Sequence, residues 1–290
     1  MKIFRKGKLS AADILQWLAS LRGNAYVPES GFPVTAVFRA RVQGVDDYYF
    51  AGVNVENADH RISTHGEEGA IAAMVVGLGK GAEIVEGWVM GAVRTAPPES
   101  DNLVTCCGKC RQQIAGFAAA DVKIHSVAIN GKTSSTTVGA FLPDVFTFRQ
   151  FLADAPATKK TATSAPSAAE VENRLLRQAK LTEQEIFAWL QKIESVDYAS
   201  KVPQAIVMQL DNGAYVAGAK VEEAAFNGMN AAQCALAIAI SEFGHHKITG
   251  LWVYSGTLTL SALQALSSAA KQDMPILLFD IGGKVAQELI

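Results

Sequence analysis

Three of the four cysteines crowd into one short segment, at Cys106, Cys107 and Cys110, while Cys234 stands alone. Disulfides that close loops rarely cluster so tightly, which turns attention to metal binding or catalysis. Cys107 and Cys110 form a C-x-x-C pair, and His65-Gly66-Glu67 lies upstream of them. Two thiolates and one imidazole balance the charge of Zn²⁺ and leave a fourth tetrahedral position open, as a catalytic site requires. Water there falls from a pKa of about 15.7 to about 7, so hydroxide forms at neutral pH without a strong base. Glu67 is the carboxylate placed to carry the proton. Three nearby cysteines could also be a structural zinc knuckle or buried thiols. Asn54-x-Glu56 on a preceding strand and His65-x-Glu67 at the start of a helix favour the catalytic arrangement.

Two helices must present these groups. Cys107 and Cys110, at i and i+3, project from one side of a helix that continues through Ile114 and Phe117. His65 and Glu67 open another, carrying Ala70, Ile71, Met74, Val75 and Leu78. If both N-termini face the metal, their dipoles favour thiolate and hydroxide. Gly77-Leu78-Gly79-Lys80-Gly81 has no Ser or Thr after the Lys and closes a helix, so it reads as a C-cap and not a phosphate loop. β-Branched and aromatic runs predict strands at 34–42, 48–55, 84–93 and 123–129, with helices between them. This alternation implies α/β domains in which helices pack on a sheet. His60, His125, His245 and His246 have no partner at metal spacing and are expected to be surface or satisfied histidines.

The chain contains the same domain twice. Ser10 with Asp13, followed by Ile14, Trp17 and Leu18, is echoed by Thr182 with Glu185, then Ile186, Trp189 and Leu190, and both open with a capping-box pattern. The run from Tyr49 to Ala58 aligns without gaps on Tyr215 to Ala224. Continued in register, His65-Gly66-Glu67 falls on Ala231-Ala232-Gln233 and Glu68 on Cys234. Ile84, Trp88 and Val89 find partners in Ile248, Trp252 and Val253 after a small drift. Only the first copy holds the reactive set. The expected organisation is a zinc-binding catalytic domain at 1–152, an Ala/Thr/Ser/Pro/Lys-rich linker at 153–170 and a non-catalytic copy at 171–290.

With 290 residues, 49% of them hydrophobic and 19% charged, the composition is that of a globular protein with room for two cores. A net charge of −2 supplies no excess of Lys and Arg for a nucleic-acid backbone, and no apolar run approaches a membrane span. The basic N-terminus lacks the apolar stretch of a signal peptide, so a cytoplasmic location is expected, with no nucleic acid and no membrane among the partners.

Taken together, His65-Gly66-Glu67 and Cys107-Gly108-Lys109-Cys110-Arg111-Gln112 resemble the H-x-E and P-C-x-x-C signature of zinc-dependent nucleoside and nucleobase deaminases. Asn54-Val55-Glu56-Asn57-Ala58, Phe32-Pro33-Val34 and Leu142-Pro143-Asp144-Val145-Phe146 are similar to segments of the cytidine deaminase family, and the second copy to the degenerate domain of its dimeric, two-domain bacterial members. The resemblance implies tandem cytidine deaminase-like three-layer α/β/α domains, each a mixed sheet flanked by helices. It implies one zinc per chain on His65, Cys107 and Cys110, with Glu67 as general acid/base. By the same likeness Asn54 and Glu56 would bond ribose hydroxyls, and Phe32 and Phe146 would pack around the nucleoside. The Gly66 N–H and the Thr105 carbonyl would address the base edge. The implied reaction is attack of zinc hydroxide on C4 of cytidine or deoxycytidine in pyrimidine salvage, by a homodimer.

The chain departs from that family at Cys106, where proline is usual, and at Gly66, Glu68 and Thr35. Cys106 is expected to stand beside the metal as a bystander. Glu68 is expected to raise the pKa of Glu67 or of the bound water, and Thr35 to narrow the pocket floor. These departures leave two alternatives: a deaminase of a modified nucleoside or nucleoside antibiotic, and a zinc-binding pseudoenzyme of the same fold.

Overall fold

Each half begins with a helix whose start is written in its capping box. Ser10 Oγ accepts from Asp13 N (3.2 Å) and the Asp13 carboxylate accepts from Ser10 N (2.8 Å), opening α1 (Ala11–Leu21) after the short strand β1 (Phe4–Lys6). Ile14, Trp17, Leu18 and Leu21 form its buried stripe. The remainder of the first half runs β2 (Val34–Val42), β3 (Val45–Val53), α2 (Gly66–Leu78), β4 (Glu83–Gly91), α3 (Gly108–Ala115), β5 (Ala118–Val127), β6 (Thr133–Thr137) and α4 (Val138–Phe141). The second runs α5 (Ala168–Leu175), β7 (Leu176–Arg177), α6 (Glu183–Leu190), β8 (Ala205–Leu210), β9 (Tyr215–Ala219), α7 (Ala231–Phe243), β10 (Ile248–Tyr254), α8 (Leu260–Ser267), β11 (Pro275–Phe279) and β12 (Val285–Leu289). The structure is a computed structural model and describes residues 1–150, 164–197, 199–254, 258–279 and 285–289.

The two sheets have one topology. The first is ordered β1-β3-β2-β4-β5-β6 and the second β7-β9-β8-β10-β11-β12. In each, one pair is parallel, β4 with β5 and β10 with β11, and the other pairs are antiparallel. Both are mixed sheets flanked by helices: the alternating pattern implied helices packed on a sheet, and the resemblance implied that the sheet is mixed. Side-chain detail repeats as well. Arg5 lies over the Trp17 ring at 4.4 Å and Arg177 over Trp189 at 4.5 Å, and each indole N–H donates to a backbone carbonyl, of Lys2 and of Arg174.

α2 governs how the layers close. All thirteen of its residues are buried, because it lies between β3 on one side and α7 on the other. A helix apolar on every side is stable only in such a position. Gly52 on β3 allows the approach. A Cβ there would lie 2.2 Å from Ala70 N and 2.5 Å from Gly66 O. Gly218 does the same beneath α7, where a Cβ would meet Ala231 O at 2.3 Å and Ala235 N at 2.4 Å.

These paired contacts correct the alignment of the copies. Gly66 O and Ala70 N over Gly52 correspond to Ala231 O and Ala235 N over Gly218, and the bridge Val55–Thr64 corresponds to Val221–Met229. The second copy is therefore one residue shorter before its helix. His65 matches Asn230, Glu67 matches Ala232 and Glu68 matches Gln233; Cys234 falls opposite Gly69. The difference in residue types between the two copies survives the shift.

Strand β2 spans the expected residues, but β5 starts at Ala118, earlier than its apolar pattern suggested. Its register with β4 jumps from Ile84–Ala118 to Glu86–Lys123, so the intervening residues bulge and break the alternation. Gly79 caps α2 with φ +83°, as expected of a C-cap. Residues 153–163 of the expected linker lie outside the described residues, and its end is helical: Ser167 caps α5, whose Val171 is buried. No helix among the described residues is long and apolar enough to cross a membrane.

Replacing Gly52 or Gly218 with Ala is expected to lower unfolding free energy by about 3 kcal/mol, the upper range for overpacking against backbone that cannot move. Gly23→Ala, where a Cβ meets nothing within 4 Å, should stay within about 0.5 kcal/mol of the parent. Urea midpoints at constant m-value measure both.

Candidate active site

Two helix N-termini meet at one point. His65 is the N-cap of α2 and Cys107 the N-cap of α3, both in extended backbone conformation (ψ 166° and 169°). His65 Nδ1 lies 3.3 Å from Cys107 Sγ and 3.3 Å from Cys110 Sγ. Among the described residues this is the group of three whose donor atoms, all within 4.8 Å of one another, could hold a metal ion. Zinc bonds of about 2.3 Å to sulfur and about 2.0 Å to nitrogen, at a tetrahedral angle, put S and N roughly 3.5 Å apart. The donor set therefore fits zinc in spacing as well as in kind.

Without metal, the three groups share protons. A hydrogen bond from the Cys110 thiol and, against the effect of burial, another from His65 push the Cys107 thiol down to about 3. The same partnership raises Cys110, which burial raises further. The bond to Cys107 also raises His65 above its ordinary value, with burial opposing. Metal binding would displace these protons.

Glu67, on the first turn of α2, is 3% exposed, and burial raises its carboxyl pKa. Cys106 is buried and donates its thiol to the Glu67 carboxylate, which opposes part of that rise. Cys106 is not one of the three grouped donors, and burial first, then Glu67, pushes its thiol up. Glu68 departs from expectation. It is fully buried, and its oxygens are taken by His65 N (2.9 Å), Gln113 Nε2 (2.8 Å) and Lys109 Nζ (3.0 Å). It closes a helix cap, and the rise at Glu67 comes chiefly from burial. Thr35 is also corrected. Strand alternation turns it to the face opposite Ala36 and Gly52, away from α2, where it is fully buried with its hydroxyl unpartnered among the described residues.

The bridge between Val55 and Thr64 (N···O 2.8 and 3.0 Å) carries Asn54 and Glu56 alongside His65. Asn54 Oδ1 accepts from Val34 N at 2.8 Å and Nδ2 donates to Phe32 O at 3.0 Å, leaving one amide hydrogen. Glu56 Oε2 accepts from Glu29 N (3.0 Å) and Ser30 N (3.2 Å). Burial works against its charge, but these bonds hold its carboxyl below the usual value. Phe32 is half-buried with its ring against Gly91. Gly66 is buried, and a Cβ there would stand 3.0 Å from Val34 O, which accounts for glycine at this position. Thr105 is exposed on the approach to Cys107. Phe146 is 41% exposed, on a segment whose backbone is held by Gln112.

In the second copy the corresponding ground is filled. Lys220 stands in place of Asn54 and bonds Ser200 Oγ (2.6 Å) and Glu222 Oε1 (3.2 Å), while Asn230 and Ala232 replace His65 and Glu67. The glutamines Gln112 and Gln113 were not singled out for a site role from sequence. The one signal was position: Gln113 lies one helical turn after Cys110 and so shares its side.

No family model matches the chain. A cytidine deaminase of Sporosarcina psychrophila is 30% identical over 125 residues, covering 43% of this chain and 82% of that protein. One of Mycoplasma pneumoniae is 32% identical over 129 residues, covering 44% and 88%. Among solved structures, a cytidine deaminase of Burkholderia pseudomallei is 25% identical with a TM-score of 0.39, covering 48% of this chain and 100% of that one. An α/β chain with clustered histidine, cysteines and glutamate, so related to these proteins, belongs to the cytidine deaminase family.

In metal-free protein at about pH 5.5, iodoacetamide is expected to modify Cys107 alone, since an ordinary thiol is almost wholly protonated there. The rate should fall only as the pH approaches about 3 and the thiolate is protonated. Peptide mass mapping identifies the site, and prior addition of zinc should block it.

Proposed function

We propose that this protein hydrolyses cytidine and deoxycytidine to uridine or deoxyuridine and ammonia, a pyrimidine-salvage reaction. The catalytic unit would be residues 1–152, with 171–290 a non-catalytic copy. The observation that carries this reading is the His65 imidazole within 3.3 Å of two cysteine sulfurs, with the buried Glu67 carboxyl on the same helix turn. The relatives named above support the choice of substrate.

His65, Cys107 and Cys110 would hold one zinc ion. Zinc, when bound, supplies Lewis acidity that makes a nucleophile of water near neutral pH. Glu67 takes one proton from the attacking water and passes it to N3 of the cytosine ring, then takes the second from the new C4 hydroxyl and delivers it to the exocyclic amine, which leaves as ammonia when the C4–N bond breaks and the C4 carbonyl forms. Burial suits it to the acid step, because it raises the carboxyl pKa above its ordinary value. The Gly66 N–H is among the donors at the start of α2 that no helix carbonyl satisfies, and with the Thr105 carbonyl it would read the base edge. The remaining Asn54 amide hydrogen and the Glu56 carboxylate, stiffened by two backbone N–H groups, would bond the ribose hydroxyls. Phe32 and Phe146 would pack around the nucleoside. A homodimer would cover apolar side chains now exposed, among them Phe226 (81%) and Val202 (49%).

Loss of the cytosine absorbance band with release of ammonia tests the reaction directly, and no turnover of either nucleoside would overturn it. Glu67→Gln is expected to keep one zinc per chain and to lower kcat by about 10³-fold. A chelator should abolish turnover, and added zinc restore it.

A further inference from the structure

The half without the catalytic group sends one loop to the half that has it. Glu223 is buried at 6% exposure. A buried carboxylate needs hydrogen-bond partners, and one of those found here lies in the other half. Glu223 Oε2 accepts from Ala225 N at 2.8 Å, which fixes it within its own turn. Glu223 Oε1 accepts from Gln112 Nε2 at 2.6 Å. The same Gln112 amide donates to Phe146 O at 2.6 Å, and Phe146 N donates to Gln112 Oε1 at 3.4 Å. Next along α3, Gln113 is 1% exposed and donates to Asn227 O (2.7 Å) and Glu68 Oε1 (2.8 Å).

A carboxamide has two N–H bonds. Gln112 commits one to the Phe146 segment and one to Glu223, so its amide plane can neither flip nor swing away while Glu223 is present. In the first copy the residue aligned with Glu223 is Asn57, whose main-chain N–H is bonded by Ser63 of its own loop. The acidic side chain at this position thus occurs in the half that has no catalytic group, and it reaches outward.

We infer that Glu223 is a positioning residue for the other half's site: through Gln112 it fixes the segment carrying Phe146 against the helix that bears Cys110. This rests on the proposed function in that Phe146 packs on the nucleoside. Glu223 touches neither the metal-binding group nor Glu67, so substrate binding depends on it while metal binding and the proton steps do not.

In the full chain, Glu223→Ala is expected to raise KM for cytidine about tenfold, as loss of a hydrogen bond to a charged group predicts, with kcat within about twofold and zinc content unchanged. Glu223→Gln keeps an oxygen for Gln112 to donate to, and its KM should stay within about threefold of the parent. Independently of activity, deuterium exchange in peptides spanning 142–148 should quicken about tenfold in Glu223→Ala, stay near the parent rate in Glu223→Gln, and remain unchanged in α2 in both. If Glu223→Ala fails to fold, Gln112→Glu replaces it, and adding Glu223→Gln to that variant should recover most of the lost protection. Unchanged exchange at 142–148, or parallel losses of kcat, zinc and stability with no separate effect on KM, would overturn the inference. A parent protein inactive on cytidine but showing the exchange pattern would overturn the proposed substrate and leave the tether standing.

Discussion

The site depends on one close approach, that of the first turn of α2 to β3 across Gly52. A helix can rest with its backbone on a strand only where the strand lacks a side chain, and the distances at Gly52 leave no room for one. The contact sets the height and rotation of α2 above the sheet. His65 at its N-cap and Glu67 on its first turn thereby arrive at the sheet's edge beside Asn54 and Glu56. α7 lies against the other side of α2, so the helix cannot relieve strain by moving outward. The positions of the His65 imidazole and the buried Glu67 carboxyl are thus consequences of packing among residues that have no chemistry.

The second copy keeps the fold with different residues at these positions. Asn230 occupies the N-cap that His65 holds in the first copy, and Asn is among the best N-cap residues, its side chain accepting from Gln233 N at 2.9 Å. Exchange of Asn for His at such a position alters the available donors while leaving helix, sheet and glycine contact as they are. Lys220 completes the change by placing an ammonium where the Asn54 amide stands and tying it to Glu222. Site and scaffold are separable here because the side chains in question lie at helix starts and strand ends, where they can change without altering the rest of the element.

The features readable from sequence were those written by local rules. Capping boxes placed α1 and α6, alternation placed β2, and residue chemistry assembled His65, Cys107 and Cys110 before any fold was known. The lost detail lay where local rules are silent. The copies slipped by one residue in a loop that has no periodicity, although the Asn230-x-x-Gln233 capping box marked the true helix start. Glu68 looked like a perturbing charge because its three partners come from its own cap and from α3, forty residues on. The bonds of Gln112 and Gln113 leave no sequence signal because one partner of each lies in the other half and the rest are distant in the chain. Long-range polar pairing leaves no periodic trace in a sequence, and much of the support for this site is of that kind.

The neighbours Glu67 and Glu68 show how such pairing divides labour between identical groups. Glu68 is surrounded by a backbone N–H, a carboxamide and an ammonium, so its charge is consumed in holding the start of α2 and the position of α3. Glu67, one residue earlier and also buried, has the Cys106 thiol as the side-chain donor among its chief influences, and a thiol is a weak donor. Burial raises its carboxyl pKa, with a backbone hydrogen bond, His65 and the Cys106 thiol opposing part of the rise. In the second copy, Gln233 at the Glu68 position bonds Asn230 N and Ile62 O without any charge, and Ala232 stands where Glu67 would be. A helix cap can do without a carboxylate; a proton relay cannot. The two acids of the first half thus differ in their surroundings: Glu68 is bonded by an ammonium, a carboxamide and a backbone N–H, whereas burial is the largest influence on Glu67.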